Sequence, residues 1–267
     1  MNLVILASVG IAGVQTTAQI PDHSTFARVL DAHVVEDLVD YAALAAHGDV
    51  LTAYLEELAR PSQAQMDAAP KAVRLAFWIN AYNACALALI VQHYPIEKPG
   101  GLASLLNAVR GYPANSIQQI PGAWDRAFCR VASHLRSLKQ IRDEVLRPLE
   151  EPRVHFAISC AARSCPPLAP EPYVPERIEE QLDTRVRAFT ADRRHFVVIR
   201  NGRPVLRVNK VLDEVVGDFG GRDGLAAFFG PFLSEEDLAY LDANGPPKIE
   251  FLDHDWTLND TAVFGTD

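Results

Sequence analysis

Arg153-Val-His-Phe-Ala-Ile-Ser-Cys-Ala-Ala-Arg-Ser-Cys-Pro-Pro167 gathers the groups best able to do chemistry: His155, Cys160 and Cys165, with two serines between them. A cysteine becomes a nucleophile when a base or a positive environment holds it as thiolate. Two cysteines separated by four residues can instead close a disulfide or sit as small buried hydrophobes. All three readings stand at this level. The Cys-x4-Cys spacing is not the redox Cys-x-x-Cys motif and is poor for zinc, so no metal or cofactor is expected. Val154, Phe156 and Ile158 alternate with His155, Ala157 and Ser159, which predicts a strand over 154–159. On an extended chain His155 and Cys160 lie about 16 Å apart on opposite faces. That geometry argues against their acting as a dyad, and a core histidine satisfied by backbone or asparagine is the plain alternative.

Other candidates lie far away in the chain. Asn80 and Asn83 are three residues apart in an apolar helical pattern, so they share a face. Two amides there need partners. They either orient a histidine or a substrate carbonyl, or form a buried network that fixes packing, and both readings predict contact with the 153–167 block. His254 and Asn259 complete the set. The chain order Cys160, His254, Asn259 is that of nucleophile, base and orienter in papain-like enzymes. Arg153 and Arg163 could hold an anion, but they more commonly pair with some of the 34 acidic residues. No phosphate-binding Gly-rich loop, His-Glu-x-x-His, Gly-x-Ser-x-Gly or dinucleotide fingerprint occurs.

These residues are carried by a chain of 267 residues, 49% hydrophobic and 22% charged. Its net charge of −9 argues against the basic surface that nucleic acid requires. No uninterrupted 18-residue apolar run occurs after the N-terminus, so no internal membrane span is expected. The apolar Leu3–Val14 stretch followed by Thr16-Thr17-Ala18 predicts a signal peptide over residues 1–18, although no Lys or Arg precedes Arg28. Export to the periplasm or beyond the cell is therefore expected, and it would permit a disulfide or two among Cys85, Cys129, Cys160 and Cys165.

The elements that must position the site follow from periodicity. Residues 24–60 read as helical, and Lys71–Tyr94, apolar nearly all round, as a central buried helix ended by Pro95. Residues 97–123 form a long loop, a class of segment that often carries function. Further helices are expected at 138–146 and 176–190, and over 211–216, 224–229 and from Ser234. Asn201-Gly202 between two apolar runs predicts a hairpin, and Lys248–Leu252 a last strand. The expected architecture is a single α+β domain over 22–267. It is mostly helical, with a small antiparallel sheet formed by the 154–159 strand, the hairpin and the last strand.

Three blocks, Phe77–Ala84, Arg153–Pro166 and Asp255–Asn259, together resemble the family known as domain of unknown function 547. Val39–Leu44 and Ser137–Arg142 resemble its linking segments, so the likeness runs from about residue 30 to 260. The resemblance implies a fold and a site at these blocks, and no reaction; bacterial members are often exported. It carries Asp255, Trp256 and Asn259 but not His254. The chain departs from the pattern at Arg142, where the family tends to have histidine, and at Val215–Val216, in place of an aromatic pair. The preferred reading is an exported, non-catalytic envelope or ligand-binding protein with a structural thiol and polar cluster and an unspecified partner. The alternative is a thiol-dependent hydrolase or acyl transferase. There Cys160 would be the nucleophile, His155 or His254 the base, and Asn80, Asn83 or Asn259 the orienters.

Overall fold

Four helices come first among the described residues: α1 (Ser24–His33), α2 (Tyr41–Ala46), α3 (Asp49–Ala59) and α4 (Gln63–Ala68). The computed structural model describes residues 19–98, 100, 101, 106, 107 and 109–264. The expected signal peptide lies outside these residues. The helical stretch predicted over 24–60 is interrupted by a short hairpin, β1 (Val34–Val35) with β2 (Leu38–Val39). Local chemistry then restarts the helices. The Asp40 side chain accepts the Ala43 N–H at 2.8 Å, and Ser62 with Gln65 forms a reciprocal capping box.

Helix α5 (Lys71–Val91) is the axis of the fold, and every residue from Leu75 to Ile90 is buried. It is the one described helix long and apolar enough to cross a membrane, yet it is wrapped by the rest of the protein. An all-round apolar helix has no face to offer water, so the other helices must enclose it. Helices α2 and α3 pack on it, as does α6 (Leu138–Gln140), which widens to π geometry over Ile141–Leu146. Cys85 on α5 is bonded to Cys129 on β3 (Cys129–Val131), which pairs with β4 (His134–Arg136). This bridge ties the axis to an outer hairpin.

The rest of the chain builds a second core. Helix α7 (Ile178–Ala191) leads into β5 (Phe196–Ile199) and β6 (Val205–Asn209), joined at Asn201-Gly202 as predicted; Gly202 has φ 79°. Helices α8 (Gly221–Phe229) and α9 (Glu235–Asn244) precede β7 (Lys248–Leu252), and α10 (Thr261–Phe264) follows. The hairpin is antiparallel, and β7 joins β6 in parallel with Leu206 opposite Ile249. Phe156, Phe189, Phe196 and Phe229 fill this core with edge-on and stacked rings. The protein is thus α+β and mostly helical.

The 154–159 segment is not a strand. Pro152–Phe156 forms a 3₁₀ helix with Pro152 in its first turn and the Glu151 carboxylate accepting the Arg153 N–H. The sequence alternation misleads because Val154 through Ala162 are buried without exception, so no solvent face exists for period 2 to mark. Val154, Ala157 and Ile158 enter the first core while Phe156 enters the second. The block is therefore the hinge piece between the two.

Candidate functional site

The two amides of α5 grip this block and the chain beyond it. Asn83 accepts the Ser159 N–H at 2.9 Å and donates to the Ala157 carbonyl at 3.0 Å. Asn80 does the same to a single residue, accepting the Tyr173 N–H at 2.9 Å and donating to its carbonyl at 2.8 Å. Each amide therefore mimics a strand partner for irregular backbone that has no ladder of its own. Asn83 thus contacts the 153–167 block, as both readings of the pair expect, while Asn80 grips the chain just beyond it.

His155 turns away from the helical core. Its Nε2 lies 2.8 Å from Asp218, whose carboxylate also receives Arg147 in a two-pronged contact at 2.7 and 2.6 Å. Its ring rests near Phe219 and borders a cleft. Burial pushes the His155 pKa down, and the Asp218 carboxylate opposes that only partly. Burial also works to raise Asp218, but Arg147 and His155 outweigh it and hold the carboxyl below its usual range.

Cys160 and Cys165 are bonded to each other, with Cα atoms 5.7 Å apart. The turn between them places Ala161 at φ 57°, and its backbone is clamped by the C-terminal block. The Ala161 carbonyl accepts the Asn259 N–H at 3.2 Å, Arg163 N–H donates to Thr257 at 2.7 Å, and the Ser164 hydroxyl accepts the Asp255 N–H at 2.9 Å. His254 thereby arrives beside the bridge, its Nε2 4.0 Å from Cys165 Sγ. Its Nδ1 donates to Asn209 Oδ1 at 3.2 Å, and its ring packs on Trp256 with centroids 4.1 Å apart. Burial is the main reason its pKa falls to about 4.

The papain-like order does not assemble. His254 Nε2 has its contact with the bridged Cys165 Sγ, at 4.0 Å, and its orienting amide is Asn209. Asn259 is engaged elsewhere: its side chain accepts the Tyr41 hydroxyl at 2.9 Å and its carbonyl the Val39 N–H. Arg153 is occupied by Glu151, Asp183 and Glu179, and Arg163 by Asp37. The residues that could ligate a metal are Cys160, Cys165 and His254, and with the sulfurs joined only the imidazole is available.

Cys160, His155 and His254 all border one cleft of about 660 Å³, which opens between the two cores. Tyr112, Trp124 and Trp256 form an aromatic wall, with Tyr112 and Trp124 each edge-on to Trp256. Charges of both signs converge on it: Arg110, Lys139, Arg142 and Lys210 face Asp125, Asp213, Glu214 and Asp253. Tyr82 reaches it from α5, and burial raises its phenol to about 12. The 97–123 segment, which includes helical residues and the 3₁₀ turn Ile117–Gln119 where a long loop was expected, supplies Arg110, Gly111, Tyr112 and Gln118 to the lining. Sequence reasoning missed Asn209 and Asp218. The signal for Asn209 is one polar residue ending a β-run whose other inward positions are apolar. Asp218 sits in an otherwise plain turn.

Residues 66–190 match the model of a family described as a protein of unknown function, DUF547. The matched span contains the Phe77–Ala84 and Arg153–Pro166 blocks and ends before Asp255–Asn259. No curated protein and no solved structure matches the chain.

Proposed function

We propose that this chain, whose residues 66–190 match the DUF547 family model, is an exported, non-catalytic binding protein whose cleft takes a small, polar, ring-bearing molecule. The observation that carries this reading is the aromatic wall set against charges of both signs in a cleft of small-molecule size. Four basic and four acidic side chains leave the lining without a dominant sign. That balance suits a neutral or zwitterionic ligand better than a polyanion. A saccharide fits this chemistry, because its C–H face packs on indole and phenol rings while its hydroxyls bond carboxylates and guanidinium groups. The nucleophile needed for thiol-dependent turnover is otherwise engaged, because Cys160 is bridged to Cys165.

Tryptophan fluorescence tests the reading, since Trp124 and Trp256 both line the cleft. Titration with neutral mono- and disaccharides, with free amino acids as the zwitterionic arm, should give a saturable change that Trp256→Ala abolishes. No saturable response to either class would sink the proposal.

Export is part of the proposal. It is supported by two bridges, which persist best in oxidising compartments. Sequencing of the protein from an exported fraction should begin near Gln19.

One observation favours the second reading, a thiol-dependent hydrolase or acyl transferase: Cys160 faces the cleft. That reading requires the bridge to open, because a disulfide sulfur is not a thiolate. Iodoacetamide labelling of Cys160 in unreduced protein would favour it.

A further inference from the structure

The hydrogen bonds around His254 fix which of its nitrogens carries the proton. Asn209 Oδ1 accepts the Val211 N–H at 2.9 Å, and Asn209 Nδ2 donates to the Ser164 carbonyl at 2.5 Å. The amide is therefore oriented, and the atom facing His254 Nδ1 is an acceptor. Nδ1 must be the protonated nitrogen, so Nε2 presents its lone pair to Cys165 Sγ at 4.0 Å. A disulfide sulfur has no proton to give that lone pair. A metal held by the two sulfurs would use it.

The geometry is close to what such a metal needs. Cys160 Sγ, Cys165 Sγ and His254 Nε2 lie within 4.8 Å of one another. Tetrahedral Zn²⁺ with ordinary bond lengths places two sulfurs about 3.8 Å apart and sulfur and nitrogen about 3.6 Å apart. Opening the bridge frees the two sulfurs to separate, and His254 Nε2 at 4.0 Å from Cys165 Sγ is within a few tenths of an ångström of the distance it needs from that sulfur. The two ligand-bearing segments are held together without the bridge. Arg163 N–H bonds Thr257, Ser164 N–H bonds Asp255, and Asp255 N–H bonds the Ser164 hydroxyl. A metal-binding histidine usually donates its second ring N–H to an oxygen acceptor that fixes the tautomer, the part that Asn209 Oδ1 plays here.

We propose that reduction converts Cys160, Cys165 and His254 into a Zn²⁺ site whose fourth coordination position opens on the cleft. A dithiol reductant gives two electrons and two protons to the Cys160–Cys165 bond and becomes a disulfide itself. Zn²⁺ then takes both thiolates, releasing their two protons to solvent, and the neutral His254 adds its lone pair. Three protein ligands with one position open is the pattern of reactive rather than purely structural zinc. Cys160 and His254 both line the cleft, so the open position faces whatever the cleft holds. The inference concerns the ligand-free protein and stands or falls apart from the saccharide reading.

The test uses the mature full chain, reduced by a phosphine, desalted without oxygen and titrated with Zn²⁺ against a chromophoric chelator. The reduced protein should bind one Zn²⁺, and Co²⁺ in its place should show thiolate-to-metal charge-transfer absorption. The unreduced protein should bind none. His254→Gln should weaken binding by at least about tenfold, and Cys160→Ser with Cys165→Ser should abolish it. If the double variant still binds zinc, the metal sits on Cys85 and Cys129 and the proposal fails. It fails equally if His254→Gln binds as tightly as the parent. Cys160→His covers the case in which full reduction unfolds the chain, since it cannot form the bridge and keeps Cys85–Cys129 without reductant. It should bind one Zn²⁺ and lose it when His254→Gln is added; absence of zinc there overturns the proposal.

Discussion

His155 Nε2 lies 2.8 Å from the Asp218 carboxylate, which joins the 3₁₀ turn of the central block to a second turn 63 residues later. Arg147 completes the contact from the other side. Asp218→Asn removes the charge both partners use. It should cost about 2 kcal/mol, the scale of hydrogen bonds to charged groups, read as a lower urea midpoint. The His155 pKa should fall further in the variant, because Asp218 is what raises it against burial. An NMR titration in which it rises would show that the carboxylate does not act on the imidazole.

Acid should destabilise the protein before its carboxylates titrate. Burial is the main cause that lowers His23, His195 and His254 to about 4, below the ordinary value of 6.5. A histidine with a depressed folded pKa is neutral in the native state while its unfolded form takes a proton. The stability it allows is whole above pH 6.5 and drains away as the pH falls toward 4. Three such groups give a slope approaching about 4 kcal/mol per pH unit. Urea midpoints at pH 7, 6 and 5 measure it, and equal midpoints at pH 7 and 5 would contradict the burial of these rings.

Asn80 and Asn83 should matter to stability far more than to ligand binding. Asn80→Ala strands the N–H and carbonyl of Tyr173 inside the protein, and Asn83→Ala those of Ser159 and Ala157. With about 1–3 kcal/mol for each buried group left unpaired, either change should cost about 2–6 kcal/mol. Chemical denaturation checks this. A variant that kept its stability but lost its ligand would instead mark the asparagine as a contact residue.

The two bridges should differ in worth. Cys85–Cys129 spans 44 positions and Cys160–Cys165 only five. Chain entropy assigns them about 4 and about 2 kcal/mol. Replacing each pair by alanine should reproduce that order in denaturant midpoints. Intact mass before and after reduction should differ by about 4 mass units, two for each bridge.

Gly224 is fixed by contact rather than by dihedral angle. A Cβ on it would stand 1.8 Å from the Phe219 carbonyl oxygen, which is backbone and cannot swing aside. Gly224→Ala should push the turn that carries Asp218 off α8 and cost about 3 kcal/mol. Gly217→Ala, which meets nothing within 4 Å, is the matched control. Equal thermal midpoints for the two variants would dismiss the argument.

The sequence alone determined the buried central helix, the hairpin at Asn201-Gly202, the last strand, and the Arg153–Pro167 block as the place to look. These are written locally, in apolar periodicity, turn chemistry and proline stops. Only the tertiary structure decided what the block does with its groups. It turned the expected strand into a 3₁₀ helix, because burial on every side erased the meaning of the alternation. It gave His155 to Asp218, Asn259 to Tyr41 across 218 positions, and His254 to Cys165 across 89. Such partners are chosen by how two cores pack around one buried segment. No pattern within a helix turn or a strand repeat records that choice.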